Sequence, residues 1–226
     1  MSLAALPPPL SAAIAVAPLS VVLLLAAYAI GSLSGSLLLG RLRGVDIRQQ
    51  GSGNAGGTNA FRTQGLRFAA VVVFIDIGKG ALATWLALRF APVGDDLSVT
   101  AHGYLAAFAA VLGHVWPIWH GFRGGKGAAT LVGALMVLWP FAVPLLLLVW
   151  AVVLIASGYV GLATVIAALC LPLLAWFGDA GLPRQCFAIA AALLVVFTHR
   201  GNLARLRAGT ESRFAGARLL HRWRRS

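Results

Sequence analysis

Apolar residues fall in long uninterrupted blocks, separated by short polar segments rich in glycine and arginine. The first block runs from about Pro18 to Gly40 and gives way to a polar, glycine-rich segment from Arg41 to Arg67. A second, about Phe68 to Phe90, leads to Pro92–Ser98, whose only charges are Asp95 and Asp96. A third, about Thr100 to Trp119, ends at a second polar loop, His120–Gly127. From Gly127 to Gly178 neither a charge nor a histidine occurs. As helix that stretch would measure about 78 Å against a hydrocarbon core of about 30 Å, so two crossings are required and three short ones fit. Pro140 and Pro144 offer one break and Ser157-Gly158 another. A last apolar stretch, about Gln185 to Thr198, precedes an arginine-rich tail. The pattern predicts an all-α, polytopic membrane protein. Its short or interrupted helices suit a cavity covered by protein, where irregular backbone is tolerated.

Composition narrows the class further. Of 226 residues, 60% are apolar and 11% charged, and the mean hydropathy is +0.88. A soluble domain carries about 25% charged residues, so a soluble, disordered or coiled-coil chain is excluded. The net charge of +12 suggests nucleic acid until its placement is read. Fifteen of the 18 basic residues sit in three segments: Arg41–Arg67, Arg123–Lys126 and Arg200–Arg225. The positive-inside rule puts all three on the cytoplasmic face and the N-terminus outside. Three crossings then lead into the second loop and an even number must follow, giving five or seven. No Lys or Arg precedes Arg41, so the basic region of a cleaved signal is lacking, and Pro7-Pro8-Pro9 points to a short external lead-in. The chain reads as a single membrane domain over 1–226, with a basic cytoplasmic tail from about 199. Cys170 and Cys186 lie in apolar surroundings and offer no zinc site.

Three segments could carry chemistry. The first is Gly51-Ser52-Gly53-Asn54-Ala55-Gly56-Gly57-Thr58-Asn59-Ala60-Phe61-Arg62. It contains G-x-G-x-x-G, but no buried strand precedes it, so a dinucleotide fold is rejected. Four glycines among hydroxyls, amides and a guanidinium let backbone N–H groups close on an anion. The second, Gly121–Thr130, resembles a Walker loop but has His120 where a glycine is needed and Gly127 in place of Ser/Thr. Lys126 nevertheless opens a helix beside Gly124, Gly125 and Gly127, where a point charge and free N–H groups suit a phosphate. The third follows the last apolar run. His199 is its side chain with a pKa naturally near neutral, Asn202 lies three residues on, and Glu211 is the acid among eight arginines. Beyond it, Arg213 to Arg225 read as a basic patch for anionic lipid. Within the spans, Asp76 and Lys79 could pair on one helix face, and His114 lies near the end of the third span.

These segments resemble the PlsY family, bacterial integral membrane acyl-phosphate:glycerol-3-phosphate acyltransferases. The family's first motif, approximately SGN-P-G-A-TN-x-x-R, is met by Ser52-Gly53-Asn54, Gly56, Thr58-Asn59 and Arg62. GGKG-x-A-T is met by Gly124–Gly127, Ala129 and Thr130, and H-x-x-N-I-x-R-L-x-x-G-x-E by His199, Asn202, Arg205-Leu206, Gly209 and Glu211. Asp-x-x-Lys-Gly appears as Asp76, Lys79 and Gly80. Ala55, Gly57 and Leu203 depart from the pattern. Ser157–Thr164 resembles S-R-Y-x-S-L-x-S, with Gly158 and Gly161 in place of its Arg and Ser; Thr164 keeps a hydroxyl.

The resemblance implies about seven spans in the bacterial inner membrane and an active site facing the cytoplasm. It implies acyl transfer from acyl phosphate to glycerol 3-phosphate, the soluble enzyme that makes acyl phosphate as a pathway partner, and no cofactor or metal. The expected catalytic residues are His199, Lys126, Asn202 and Ser52. Gly53, Asn54, Gly56, Thr58, Asn59, Arg62, Gly125, Gly127, Arg205 and Thr164 are expected to bind substrate phosphate. Asp76, Lys79, His114 and Glu211 would support them. Direct attack is the expected mechanism, with Ser52 as a covalent nucleophile the alternative. A transporter of organic phosphate would use similar loops, and a lipid-binding scaffold would not need the three donor-rich motifs.

Overall fold

The computed structural model describes residues 8–92, 97–178 and 181–214, without the side chains of 8–18. The segment carrying Asp95 and Asp96, Pro7 and the tail beyond 214 lie outside the described residues. The described residues form ten α-helices: α1 (Pro8–Gly31), α2 (Gly35–Leu42), α3 (Gly57–Gln64), α4 (Leu66–Phe90), α5 (Val99–Val115), α6 (Ala128–Leu138), α7 (Ala142–Ser157), α8 (Val160–Phe177), α9 (Leu182–Thr198) and α10 (Arg200–Arg207). Short 3₁₀ turns occupy Ile47–Gln49 and Ile118–His120. Among the described residues, three helices are long and apolar enough to cross a membrane, up to five if each bent pair is one span, and α6 and α7 are shorter apolar helices.

Four sequence expectations need correction in detail. Pro8 and Pro9 open α1 instead of forming a lead-in, because proline is tolerated in a first turn whose N–H groups are free anyway. The first span is interrupted at Ser32–Ser34, where α2 turns 48° from α1. The charge-free stretch holds three helices with breaks at Trp139–Phe141 and Gly158–Tyr159, at the expected Pro140 and Ser157-Gly158, but Pro144, offered with Pro140 as part of the first break, sits inside the first turn of α7. The last span starts at Leu182, three residues early, because Arg184 is accommodated: its Nε donates to Tyr104 Oη at 2.8 Å and its guanidinium lies 4.9 Å from the Trp139 ring.

Small residues set the packing. A Cβ at Gly31 would overlap the Ala110 backbone and one at Gly113 the Tyr28 carbonyl, so α1 and α5 pack backbone to backbone. Gly80 against Thr130 and Gly133 against Ile77 do the same for α4 and α6. A second apolar cluster joins α5, α6, α8 and α9 through Val111, Leu135, Leu171, Ala188 and Val195. These contacts carry the segment after α2, the segment after α5, the α7–α8 turn and α10 to one end of the bundle.

Candidate active site

The first loop is built around Asn59, which is 1% exposed. Its Oδ1 accepts from Ser52 N at 2.9 Å, and its Nδ2 donates to Ile47 O and Gln50 O at 3.1 and 3.0 Å. Gly51 and Gly53 take left-handed φ of +56° and +71°, and a side chain at Gly51 would strike Asn59. The loop therefore folds over its own asparagine and turns Ser52, Gly53 and Asn54 outward. The second loop presses on α5: Gly124 N and Gly125 N each donate at 3.1 Å, to Val115 O and His114 O, and a Cβ at either glycine would overlap His114. Gly127, at φ +86°, starts α6 and presents Lys126 from its N-terminus.

The third segment bends by 53° at His199. His199 Nδ1 lies 2.8 Å from Val195 O; a carbonyl only accepts, so Nδ1 carries the proton and Nε2 the lone pair. The bend brings α10 across the second loop. Thr198 Oγ1 donates to Lys126 O at 3.1 Å, and Lys126 Nζ donates to Asn202 Oδ1. Asn202 Nδ2 donates to Glu211 Oε1 at 2.6 Å, and Arg205 Nε pairs with Glu211 Oε2 at 2.7 Å. The chain runs in one direction, cation to amide to carboxylate, with a second cation at its end.

A cavity of about 200 Å³ opens between these segments, lined by Ser52, Gly53, Asn54, Lys126, Thr198, Gly201, Asn202 and Arg205. Its charge is tuned by confinement. Burial, reinforced by the Arg205 charge, lowers Lys126 to about 8. His199 lies just past the end of α9; burial and then the Lys126 charge lower it to about 4, so it is neutral near pH 7. Two cations against one carboxylate leave net positive charge at the cavity, which suits an anion.

Of the expected residues, the cavity gathers Ser52, Gly53, Asn54, Lys126, Asn202 and Arg205. His199 is buried at the corner beside it, and Glu211 holds Asn202 and Arg205. Arg62 instead donates to Ser212 O at 3.3 Å, and Gly56 and Thr58 begin α3 beside the loop. Gly125 and Gly127 shape the approach to Lys126. Thr164 lies off the cavity: it donates to Val160 O at 2.9 Å and accepts from Trp150 Nε1 at 3.2 Å. Asp76, Lys79 and His114 cluster beneath the loops. Lys79 Nζ pairs with Asp76 Oδ1 at 2.9 Å and donates to His114 Nδ1 at 2.8 Å and Leu33 O at 3.0 Å. Asp76 Oδ1 accepts from Gly35 N at 3.2 Å. The pair thus satisfies the backbone groups that the α1–α2 break leaves open.

Sequence reasoning missed Thr198 and Gly201 in the cavity wall and the pairing of Arg48 with Asp46. The latter had a local signal, an Asp two residues before an Arg at the start of a turn. It also missed a strap over 212–214, where Phe214 N donates to Gly158 O at 2.7 Å and Arg213 Nε to Tyr159 Oη at 2.7 Å. No local pattern marks that contact. At Gly161, where the family pattern has Ser, the Cα faces Asn202, and a Cβ would sit 2.9 Å from Asn202 Cβ.

Comparison with known proteins places the chain among acyltransferase relatives. A family model described as glycerol-3-phosphate acyltransferase matches residues 21–209. The glycerol-3-phosphate acyltransferase of Synechococcus sp. (strain CC9902) is 42% identical over 196 residues, 86% of this chain and 94% of the relative. That of Gloeobacter violaceus is 40% identical over 196 residues, with the same coverage of 86% and 94%. The crystal structure of PlsY (YgiH), an integral membrane glycerol 3-phosphate acyltransferase, in its glycerol 3-phosphate form, superposes with a TM-score of 0.80 at 33% identity, covering 86% of this chain and 95% of that one. The lysophosphatidic acid form of PlsY gives 0.77 at 32% identity, with coverage of 86% and 94%.

Proposed function

The chain belongs to the glycerol-3-phosphate acyltransferase family, and from that premise we propose that it transfers a fatty acyl group from an acyl phosphate to the 1-hydroxyl of glycerol 3-phosphate. Lysophosphatidic acid and phosphate are the products. The observation that carries this reading is the cavity itself: Lys126, Arg205, Asn202 and the Ser52–Asn54 backbone converge on a space of about 200 Å³ with net positive charge. Both proposed substrates bring a phosphate. The similar structures in their glycerol 3-phosphate and lysophosphatidic acid forms support the acceptor and the product.

In this mechanism Lys126 and Arg205 hold phosphate, helped by Ser52 and by the N–H groups of Gly53 and Asn54. Asn59, Gly56 and Thr58 shape the loop, and Arg62 reaches an incoming phosphate after leaving Ser212. Neutral His199, with its Nε2 lone pair, and Asn202 orient the attacking hydroxyl. The hydroxyl oxygen bonds to the acyl carbon, the carbon–oxygen bond to phosphate breaks, and the departing phosphate takes up the proton. Lys126 or a loop N–H stabilises the oxyanion. Acyl phosphate is a mixed anhydride with a good leaving group, so positioning supplies much of the rate. Among the described residues Ser52 Oγ has no hydrogen-bond partner, which favours Ser52 as a ligand over a base-activated nucleophile.

The cations at the cavity do the charge work here, without a metal. Thr164 serves the α7–α8 contact, while Asp76, Lys79 and His114 support the loops from within the bundle. The reading places the site at the cytoplasmic face of the bacterial inner membrane, facing a soluble enzyme that supplies acyl phosphate.

The test is phosphate release by purified protein in lipid, given palmitoyl phosphate with and without glycerol 3-phosphate, with palmitoyl-CoA in parallel. Release that needs both substrates, yields lysophosphatidic acid, survives EDTA and falls at least 100-fold in Lys126→Ala is the expected result. Turnover with the CoA ester alone would replace the donor. Trapping of acyl-Ser52 would replace direct attack.

A further inference from the structure

Three segments wall the cavity, and for two of them, the Ser52–Asn54 backbone and the loop that carries Lys126, something must fix the separation. Among the described residues, the hydrogen bonds that run directly between the first and second loops all come from Arg48. Its Nη1 donates to His120 O at 2.9 Å and to Arg123 O at 3.2 Å, the latter three residues before Lys126. The rest of the guanidinium is committed to Asp46: Nε donates to Oδ1 at 3.0 Å, and Nη2 pairs with Oδ2 at 2.9 Å. Asp46 Oδ1 also accepts from Arg48 N at 3.0 Å, which fixes the turn that Arg48 leaves from. That turn is braced in turn by Asn59, which holds the carbonyls of Ile47 and Gln50 on either side of Arg48. The guanidinium is not part of the cavity wall, and its charge is cancelled by Asp46.

We propose that Arg48, held by Asp46, is a positioning residue that sets the gap between the glycine loop and Lys126. This rests on the acyl-transfer reading above. A flat five-donor fork can serve one carboxylate and two carbonyls together; a lysine ammonium cannot reach all of them in that geometry. Each wall alone still meets a phosphate when the tie is cut, so substrate binding largely survives. The transition state needs both walls at once, so turnover suffers. A misplacement of about 1 Å costs on the order of 100-fold in rate.

The experiment measures kcat and KM for glycerol 3-phosphate in wild type, Arg48→Met, Arg48→Lys, and the charge-neutral pair Asp46→Asn/Arg48→Met, each referred to the folded fraction by size exclusion and thermal melting. The expected result is a kcat lower by about 10- to 100-fold in all three variants, with KM within about threefold of wild type. In a fourth variant, Arg48→Ala, whose truncation leaves room for the ion, millimolar guanidinium should restore part of the lost kcat, and ammonium at equal ionic strength should not. Recovery of wild-type kcat in the double variant would show that the loss was the exposed Asp46 charge, and would overturn the proposal. So would a kcat within twofold of wild type in Arg48→Met. Arg48→Lys retains a partner for Asp46, so it keeps the test open should Arg48→Met fail to fold. A wild type that fails to acylate glycerol 3-phosphate would instead overturn the acyl-transfer reading, whatever the variants do.

Discussion

If Lys126 holds phosphate as proposed, confining it beside Arg205 makes binding depend on pH in a range where lysines are ordinarily indifferent. Lys126 in the free site is lowered to about 8, so it is charged at pH 7 and loses its proton as pH rises through that value. The ammonium is the protonated form and always lies on the acid side of the pKa; the lowering brings its loss down from the usual lysine range to about pH 8. For glycerol 3-phosphate, kcat/KM should therefore be flat between pH 6.5 and 7.5 and fall towards tenfold per unit above about 8. Lys126→Arg should remove that alkaline limb, whatever it does to the plateau. A profile for wild type that stays flat to pH 10 would show that Lys126 is not the titrating group. Gly161 gives a second test. An alanine there pushes on Asn202 Cβ, an atom that no side-chain rotation can move aside. Gly161→Ala should lower kcat about tenfold or more, with the protein still folded, whereas Thr164→Val should leave kcat nearly unchanged. That Lys126, Asn202 and Arg205 would meet at one candidate site was legible because charge and amide groups beside an apolar run have few other uses. The inward turn of Asn59 was not legible, since only the folded loop decides which amide it keeps for itself.

Helices show the same division. The blocks over α4 and α5 could be read from run length, and the breaks near Pro140 and Gly158 from residues that cannot continue a helix. The bend at Ser32–Ser34 could not, because its support lies elsewhere: Lys79 serves Leu33 O and Asp76 serves Gly35 N, both from α4. Asp76 and Lys79 are 1% and 5% exposed, so removing one partner leaves a buried charge uncompensated. Lys79→Met should cost about 3–5 kcal/mol, read as a drop in melting temperature in detergent. Asp76→Asn/Lys79→Met should recover part of that loss, since an amide still accepts from Gly35 N and no charge remains. A double variant less stable than Lys79→Met would show that the pair is held by more than charge balance. Activity should fall in both, because α2 feeds the first loop and Ser36 Oγ bonds Ala55 O at 2.9 Å.

Across the whole molecule, the chain crosses the bundle repeatedly so that three distant segments meet at one end. Arg48 reaches the second loop, Lys126 reaches α10, and Arg62 reaches Ser212. That end carries exposed Arg41, Arg43, Arg62, Arg67, Arg123 and Arg200, and its acids Asp46 and Glu211 are already paired. The opposite end, at Leu182, has Arg184 tucked against Tyr104 and Trp139. An asymmetry of this kind orients a polytopic chain with its basic loops inside. It would also serve the proposed chemistry, because both proposed phosphorylated substrates would be met at the face where water and soluble phosphate esters are available, while an acyl chain stays among the helices. The prediction is a labelling pattern in a Cys170→Ala/Cys186→Ala background. A cysteine at Arg123 should react with a membrane-impermeant maleimide only after the inner membrane is opened, and one at Leu182, 73% exposed, should react in intact spheroplasts. The reverse pattern would put the cavity outside and leave the acyl donor on the wrong side of the membrane. Equal labelling of both in intact cells would mean that the basic end does not fix the orientation. Because the loops converge through side-chain bonds and not through local sequence alone, the orientation and the active site stand or fall together: a chain inserted with one loop on the far side could not form the Lys126–Asn202 contact or the Arg48 tie, and would be inactive however well it inserted.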